Sequence, residues 1–345
     1  MNFQILATSA RPHFIYMENF MFQKQLKMAG AAFAALAFTL GLPAQAQQWP
    51  VKPVRVIVPF GAGGGTDIQG RLLGQKFQQS LGQNFLVENR SGASGLIGAE
   101  TAARSPGDGY TILFTTASLA VSVTLNAKLL KFNPTTDLLP VSWVSSVPLV
   151  LVLHPSVPAK NLKDFVALVK KSGNKLNAAH NGGGTTSHLS VEMLNLFGGT
   201  KVTAIPYKGG GPAMIGQISG ETDFTFATAL AAQSFIKSGK VRAIAVTTGK
   251  SAAAFPDLPT MKSIYPEFEA DNWYAMFFPK GTSKDIVAKL NGEIVKALKS
   301  PDVNDFIRKE GGEPVGSSPE ELAAYFKREV TKYAKVIKAA NVVAE

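Results

Sequence analysis

The sequence predicts an α/β fold arranged in two lobes, on three observations. Strand-like and helix-like runs alternate along the chain, a pattern that favours sheets covered by helices. A glycine-rich turn leading into a helix occurs twice, as "FGAGGGTDIQGRLL" and "HNGGGTTSHLSVEML", once in each half. A strand–proline–helix unit is also repeated, as "VLVLHPSVPAKNLKDFVALVK" and "YAMFFPKGTSKDIVAKLNGEI". Paired strands of that kind are expected to carry the chain into a second lobe and back, near Val147 and near Asp271.

The N-terminal 46 residues read as a leader. From Met21 a basic stretch, "MFQKQLK", precedes the apolar run "MAGAAFAALAFTLGLP" and a small-x-small site at Ala44, Gln45 and Ala46. That order is the signature of a cleaved secretory signal peptide, which implies that the mature chain is exported. The apolar run is short for a membrane span and ends at Pro43. Met1, Met17 and Met21 are alternative starts. The chain has no cysteine, which excludes disulfides, thiolate metal sites and a lipidated N-terminal cysteine.

Beyond the leader, "VRVIVPF" is a strand and the run after Thr66 is a helix with Ile68, Leu72, Leu73 and Phe77 on one face, ending at Gly82. "NFLVEN" is the next strand, "SGASGLIGAETAARS" a turn with a short helix, and "YTILFTT" the third strand. This βαβαβ order implies a parallel sheet. After "VPLVLVLHPSVP" come a helix capped by Asn161, strand "KLNAAH", loop "NGGGTT", helix "SHLSVEMLNLFG", strand "VTAIPY", loop "KGGG" and a helix opened by Pro212. Strands "TDFTFAT", "VRAIAVTT" and "WYAMFFP" follow, then helix "SKDIVAKLNGEIVKALKS" and a last helix announced by "SSPEE", with Ser318 as cap, Pro319 at its first position and Glu321 as capping-box partner.

Several chemistries are excluded by spacing. The net charge is +11; the leader holds three bases (Arg11, Lys24, Lys27) and one acid (Glu18), so the remainder carries +9. No basic run with interleaved aromatics accompanies it, so no nucleic-acid partner is expected, and the balance favours an anionic small ligand or a membrane surface. A P-loop fails because Ile68, not lysine, follows "GAGGGTD". A dinucleotide fingerprint has Gly61 and Gly63 but Thr66 at the third glycine position. "SGASG" around Ser94 lacks the glycine that a nucleophile elbow needs at Leu96. Ser187 and His188 are adjacent and point about 100° apart on a helix. The histidines beyond the leader (His154, His180, His188) form no metal-ligand spacing with acids. Asp67 and Glu192 are the one imaginable acid/base pair, and Asp67 is better read as a carboxylate favourable in the first turn of its helix. What remains is a set of glycine-rich loops before helices, which bring backbone N–H donors close to an anion.

At these loops the chain resembles the substrate-binding proteins of the tripartite tricarboxylate transporter system, the Bug family of periplasmic receptors. "WPVKPVRVIVPFGAGGGTDIQGR", "LVENRSGASGLIGAETAA", "PGDGYTILFTT", "GGGTTSHLSVEML", "IPYKGGGPAM", "VRAIAVTT" and "FPDLPTM" carry the resemblance, in this order, over essentially all of the mature chain. It implies a two-lobed, type II periplasmic-binding-protein (Venus flytrap) fold. After the leader at residues 1–46, one lobe takes residues 47–147 plus 272–345 and the other residues 148–271. It also implies capture of a small carboxylate (a di- or tricarboxylate, an acidic amino acid or an aromatic acid) for membrane permease subunits. A monomer is expected, with no catalysis, metal or cofactor. In such receptors the first loop, here Phe60, Gly61, Ala62, Gly63, Gly64, Thr66 and Asp67, contacts the ligand carboxylate together with Gly184, Thr185, Ser187 and His188. Thr115, Thr116 and Ser118 line the same cleft with Tyr207 and Lys208. Thr66, Thr116, Ser118, Thr185 and Ser187 would offer hydroxyls, Tyr207 an aromatic wall and Lys208 a charge. The chain departs from the commonest pattern at Gly61 and Ala62, where proline is frequent, and between His180 and Gly183; these departures bear on which acid is bound. Two alternatives stand beside this reading: a periplasmic hydrolase or isomerase using Asp67 or His188, and a sensor subunit for a membrane histidine kinase.

Overall fold

The computed structural model describes residues 49–173 and 175–343. The leader and its cleavage site lie outside the described residues. Strand β1 (Val54–Val58) is buried at all but one position and leads through the first glycine loop into α1 (Gly65–Leu81), which Gly82 ends in a left-handed conformation. β2 (Phe85–Asn89), α2 (Leu96–Ala103), β3 (Thr111–Thr116) and α3 (Ser118–Leu125) follow. β2 and β3 flank β1, both parallel to it, as the βαβαβ pattern implies.

β4 (Leu138–Leu153) is far longer than "VPLVLVL" suggests. The chain continues through α4 (Leu162–Ser172), β5 (Asn177–His180), α5 (Thr186–Gly198), β6 (Thr203–Pro206), α6 (Gly210–Ile218), β7 (Phe224–Thr228), α7 (Ala229–Lys237) and β8 (Arg242–Val246). It closes with β9 (Asp271–Pro279), α8 (Lys284–Leu298), α9 (Pro301–Lys309), the two-residue β10 (Glu313–Pro314) and α10 (Pro319–Ala339). Asn161 caps α4 by accepting the Asp164 amide, and Ser318 and Glu321 form the expected capping box at α10.

The sheet is mixed, not parallel throughout. Its order is β2-β1-β3-β9-β4-β7-β5-β6, with β8 and β10 also pairing β4. β9 is antiparallel to β3 and to β4, and β4 is antiparallel to β7 and β8. The reason is the path of the chain. From Leu138 to Pro148, β4 pairs with β9; from Leu149 to Leu153 it pairs with β7 and β8. One strand therefore belongs to both halves of the sheet, and β9 begins opposite the changeover, with Pro148 facing Asp271.

A shared core ties the halves together. Trp273 of β9 is fully buried and packs edge-on to Tyr325 and Phe326 of α10, its Nε1 donating to Glu329 at 3.1 Å. The same cluster takes in Leu113 and Phe277 on one side and Phe224, Phe226 and Phe268 on the other. α10 packs against α3, β4 and α5 and so touches elements of both halves. No helix among the described residues is long and apolar enough to cross a membrane.

Candidate ligand-binding cleft

The glycine loops all leave the C-terminal ends of parallel strands: residues 59–64 after β1, 90–95 after β2, 181–185 after β5 and 207–209 after β6. In open α/β sheets this edge is where ligands bind, because helix N-termini converge there.

In the first loop, Gly61, Ala62, Gly63 and Gly64 are exposed, Phe60 is half-buried, and Thr66 and Asp67 are buried. Gly64 is the N-cap of α1 and supplies no side-chain cap, so the first-turn amides of this helix end open. Gly63 takes φ +80°, a conformation that excludes most other residues. Asp67 folds back on the loop: Oδ2 accepts the Gly63 amide at 2.9 Å, and Oδ1 accepts from Asn89 Nδ2 at 3.0 Å and from Arg71 at 2.9 Å. Burial pushes this carboxyl up, but the hydrogen bonds from Arg71, Gly63 and Asn89 outweigh it and hold it below the ordinary carboxylate range. A carboxylate so engaged is a brace for the loop and a poor general base.

The second loop is built around two histidines. His180 ends β5 and His188 sits in the first turn of α5; their rings stack with centroids 4.4 Å apart and planes 15° apart. Nδ1 of His180 accepts the Gly182 amide at 3.3 Å, and Nδ1 of His188 accepts the Gly184 amide at 3.2 Å. That hydrogen-bond pattern places the ring proton on Nε2 in the neutral form of each. Burial and the neighbouring His180 push His188 down to about 4. Thr185 caps α5, accepting the His188 amide at 3.3 Å while its hydroxyl donates to the Gly182 carbonyl at 2.8 Å. Ser187 donates to the Phe226 carbonyl at 2.8 Å. The Gly184 amide and the Thr185, Ser187 and His188 side chains thus shape the loop from within. The α5 donors that a helix start leaves without an intrahelical partner are the backbone amides of Thr186 and Ser187.

Two polar residues that sequence reasoning missed join these helix ends. Asn272 and Tyr274 lie two residues apart on one face of β9. Thr186 Oγ1 lies 3.3 Å from Asn272 Oδ1, and Asn272 Nδ2 donates to Tyr274 Oη at 3.2 Å. Tyr274 in turn crowds the start of α1: a Cβ on Gly65 would sit 2.7 Å from its Oη and 3.5 Å from Glu310 Oε1. The N-termini of α1 and α5 therefore abut one polar stripe. Thr116 stands beside it, paired in register with Tyr274, and its Oγ1 accepts the Ser118 amide at 3.3 Å. Thr115, Thr116 and Ser118 are all buried, but strand alternation turns Thr115 to the opposite face from Thr116.

Behind the stripe, Ser145 Oγ donates to Gln69 Oε1 at 2.9 Å and Gln69 Nε2 donates to Glu310 Oε2 at 2.8 Å. Burial pushes Glu310 up to about 7, against that hydrogen bond from Gln69. Tyr207 extends the β5–β6 pairing through its amide, which donates to the His180 carbonyl at 2.9 Å, and its ring packs over Gly216 of α6. Lys208 is exposed. A groove of about 700 Å³ between α5 and α10, lined by Leu196, Phe197 and Lys335, lies at the other end of α5 and has none of these features. Among the described residues no three His, Asp or Glu side chains are placed to hold a metal ion.

Asn89 was also not foreseen as part of the first loop, and Ser94, although read in a glycine-rich turn, was given no contact with the second. Asn89 is legible in hindsight as a polar residue at the C-terminal end of a parallel strand. The roles of Gln69, Asn272, Tyr274 and Glu310 depend on long-range register and carry no local signal.

Comparison with known proteins gives the family and the fold. Residues 70–342 match the model of the tripartite tricarboxylate transporter family receptor. Protein BugT of Bordetella pertussis is 36% identical over 302 residues, covering 87% of this chain and 92% of that one. The periplasmic binding protein BugD superposes with a TM-score of 0.75 at 35% identity, over 86% of this chain and 100% of that one. MatC from Rhodopseudomonas palustris, solved with bound malate, gives a TM-score of 0.74 at 31% identity, over 84% of this chain and 100% of that one. The chain has the two-lobed type II periplasmic-binding-protein fold of these relatives, and it belongs to the tripartite tricarboxylate transporter family of receptors.

Proposed function

We propose that this protein is an extracytoplasmic receptor that captures a small carboxylate between its lobes and passes it unchanged to membrane permease subunits. The observation that carries the reading is the convergence of the α1 and α5 N-termini on Asn272 and Tyr274. Two helix starts facing one polar stripe make an anion site from backbone donors. The malate bound to MatC supports a carboxylate as the anion.

The lobes are taken as residues 47–147 plus 272–345 and residues 148–271, hinged where β4 changes partners opposite Asp271. The ligand-binding set is the first loop (Phe60 to Asp67), the β3 end with Thr115, Thr116 and Ser118, the second loop with Gly184, Thr185, Ser187 and His188, and Tyr207 with Lys208. Within it Asp67, Thr185, Ser187 and His188 act by holding the loops, and the backbone amides act on the anion. The protein works in the periplasm as a monomer after loss of its leader. Binding without chemistry is favoured because Asp67, Ser187 and His188 are each bound to local backbone or side-chain partners, and the Ser187 hydroxyl is given to the Phe226 carbonyl rather than to a base. Calorimetry with malate and with malate diamide tests the reading. Malate should bind and be recovered intact, and the diamide should bind at least tenfold more weakly. Equal binding of the two would remove the anion site from these loops.

A further inference from the structure

The "SGASG" stretch finds its place in the contact between the glycine loops. Ala93 and Ser94 adopt φ +47° and +54°, consecutive non-glycine residues in the left-handed region, and Gly95 follows at +97°. Left-handed backbone is unfavourable for a residue with a side chain and persists only where surrounding contacts hold it. Here the contact is visible. Ser94 Oγ donates to the Gly183 carbonyl at 2.8 Å. The donor sits in the loop after β2, in the half of the sheet built on β1. The acceptor sits in the loop after β5, in the other half.

The surroundings fit the same role. A Cβ on Gly184 would lie 3.0 Å from Leu125 Cδ2, 3.8 Å from Val121 Cγ1 and 3.9 Å from Ser94 Oγ. The second loop is therefore seated against α3 and Ser94 together. Gly95 meets the first loop, where a Cβ would lie 3.3 Å from the ring of Phe60. The "SGASG" loop thus touches both glycine loops of the cleft while its serine reaches across.

We infer that Ser94 is a positioning residue: its hydroxyl latches the Gly183 loop to the other lobe and holds the closed state of the cleft, without touching the ligand. This rests on the reading of the cleft as a binding site between lobes that open and close. Ser94 is exposed, so water competes for its hydrogen bond, and a bond of that kind shifts the closed-to-open ratio by about fivefold. Apparent affinity follows the closed fraction, since ligand binds a state that is already partly populated.

The absence of cysteine makes the test direct. Gln78→Cys on α1 and Lys171→Cys on α4, both exposed and in different halves, take spin labels in the full chain. Their distance distribution without ligand reports the closed fraction. Ser94→Ala removes the hydroxyl and keeps the left-handed strain; Ser94→Gly removes both. Both should lower the closed-to-open ratio about fivefold, while Ser94→Gly raises the melting temperature relative to Ser94→Ala because glycine accepts φ +54°. An unchanged distribution in Ser94→Ala overturns the latch. A distribution retained in Ser94→Gly alone also overturns it, because the backbone conformation rather than the hydroxyl would then matter. Addition of malate to the unsubstituted labelled protein tests the carboxylate reading separately, since the latch is read without any ligand.

Discussion

Asp67 and Asn89 meet at the edge of the β1–β2 pair, where Asn89 Nδ2 donates to Asp67 Oδ1 at 3.0 Å and to the Phe60 carbonyl at 3.0 Å. With the Gly63 amide on Oδ2, the carboxylate and amide fold the exposed glycines into one shape ahead of any ligand. A preordered loop spends less binding energy on its own ordering.

Replacing Asp67 by alanine removes the acceptor for Gly63, Asn89 and Arg71 together and should cost about 1–3 kcal/mol of stability. The pH dependence has a definite sign. The folded carboxyl titrates below the ordinary carboxylate value of 3.8, so its contribution is complete above that value and is lost as pH falls through the lower folded pKa. Urea denaturation of the wild type and of Asp67→Asn between pH 2 and 7 checks this: the difference should shrink toward the acid end.

His188 titrates in the opposite sense from a histidine whose charged form is stabilised, because burial and His180 outweigh Glu192 Oε1, 3.8 Å from its Nε2. Its folded pKa is pushed down to about 4 from 6.5, so the unfolded chain takes up the proton first. Stability is full above pH 6.5 and declines as pH falls from 6.5 to 4, by on the order of 3 kcal/mol. Glutamine at this position keeps an acceptor for the Gly184 amide and does not titrate. His188→Gln should therefore flatten the stability profile over that range, and a slope equal to that of the wild type would contradict the neutral, buried imidazole.

Much of the fold was legible because local and global signals agree. "VRVIVP" reads as a buried parallel strand, and the Asn161 and Ser318 caps stand where their side chains bond. β4 was only half legible. Its first half holds Pro140, Ser142, Ser145 and Ser146, and its pairing slips between Pro140 and Ser142 and again between Trp143 and Ser145. The irregular alternation reads as loop although β9 holds it straight. α9 was missed although Ser300, Pro301 and the Val303, Phe306 and Ile307 spacing announce it. The glycine loops were legible because positive φ demands glycine, as at Gly63, Gly182 and Gly184. The stripe between them was not, because only the register of Thr116 with Tyr274 brings β9 to the helix ends.

Glu310 gives a third pH prediction. Its folded pKa is raised to about 7 from 4.5, so the folded protein holds a proton that the unfolded chain releases. Its favourable contribution is complete below pH 4.5 and is lost as pH rises to 7, again by on the order of 3 kcal/mol. Glu310→Gln keeps a neutral partner for Gln69 and has no proton to lose. The variant should melt higher than the wild type at pH 8 and close to it at pH 4.5. A variant less stable than the wild type at both pH values would show that the charged form is the one the site prefers.

The last prediction turns on Asn272, which links Thr186 at the start of α5 to Tyr274 beside the start of α1. Asn272→Ala removes the link and leaves both helix ends in place, so malate affinity should fall about 5- to 30-fold, the loss of one or two hydrogen bonds. Asn272→Asp is the sharper change. It sets a fixed carboxylate between the two helix starts, where the ligand carboxylate is proposed to sit. That charge is itself favoured by the helix ends, so the variant should fold and melt no lower than Asn272→Ala. Two anions about 5 Å apart at an effective dielectric near 20 repel by roughly 3 kcal/mol, which is about a 100-fold loss of affinity. The order of malate affinity should therefore be wild type, Asn272→Ala, Asn272→Asp, while the order of stability places Asn272→Asp at or above Asn272→Ala. Lowering the pH to protonate the introduced carboxylate should recover part of the loss, down to the point where malate itself takes up protons. Calorimetry at pH 7 and pH 5 with parallel thermal melts reads both orders. If Asn272→Asp binds malate as well as the wild type does, the anion is not held between the α1 and α5 N-termini.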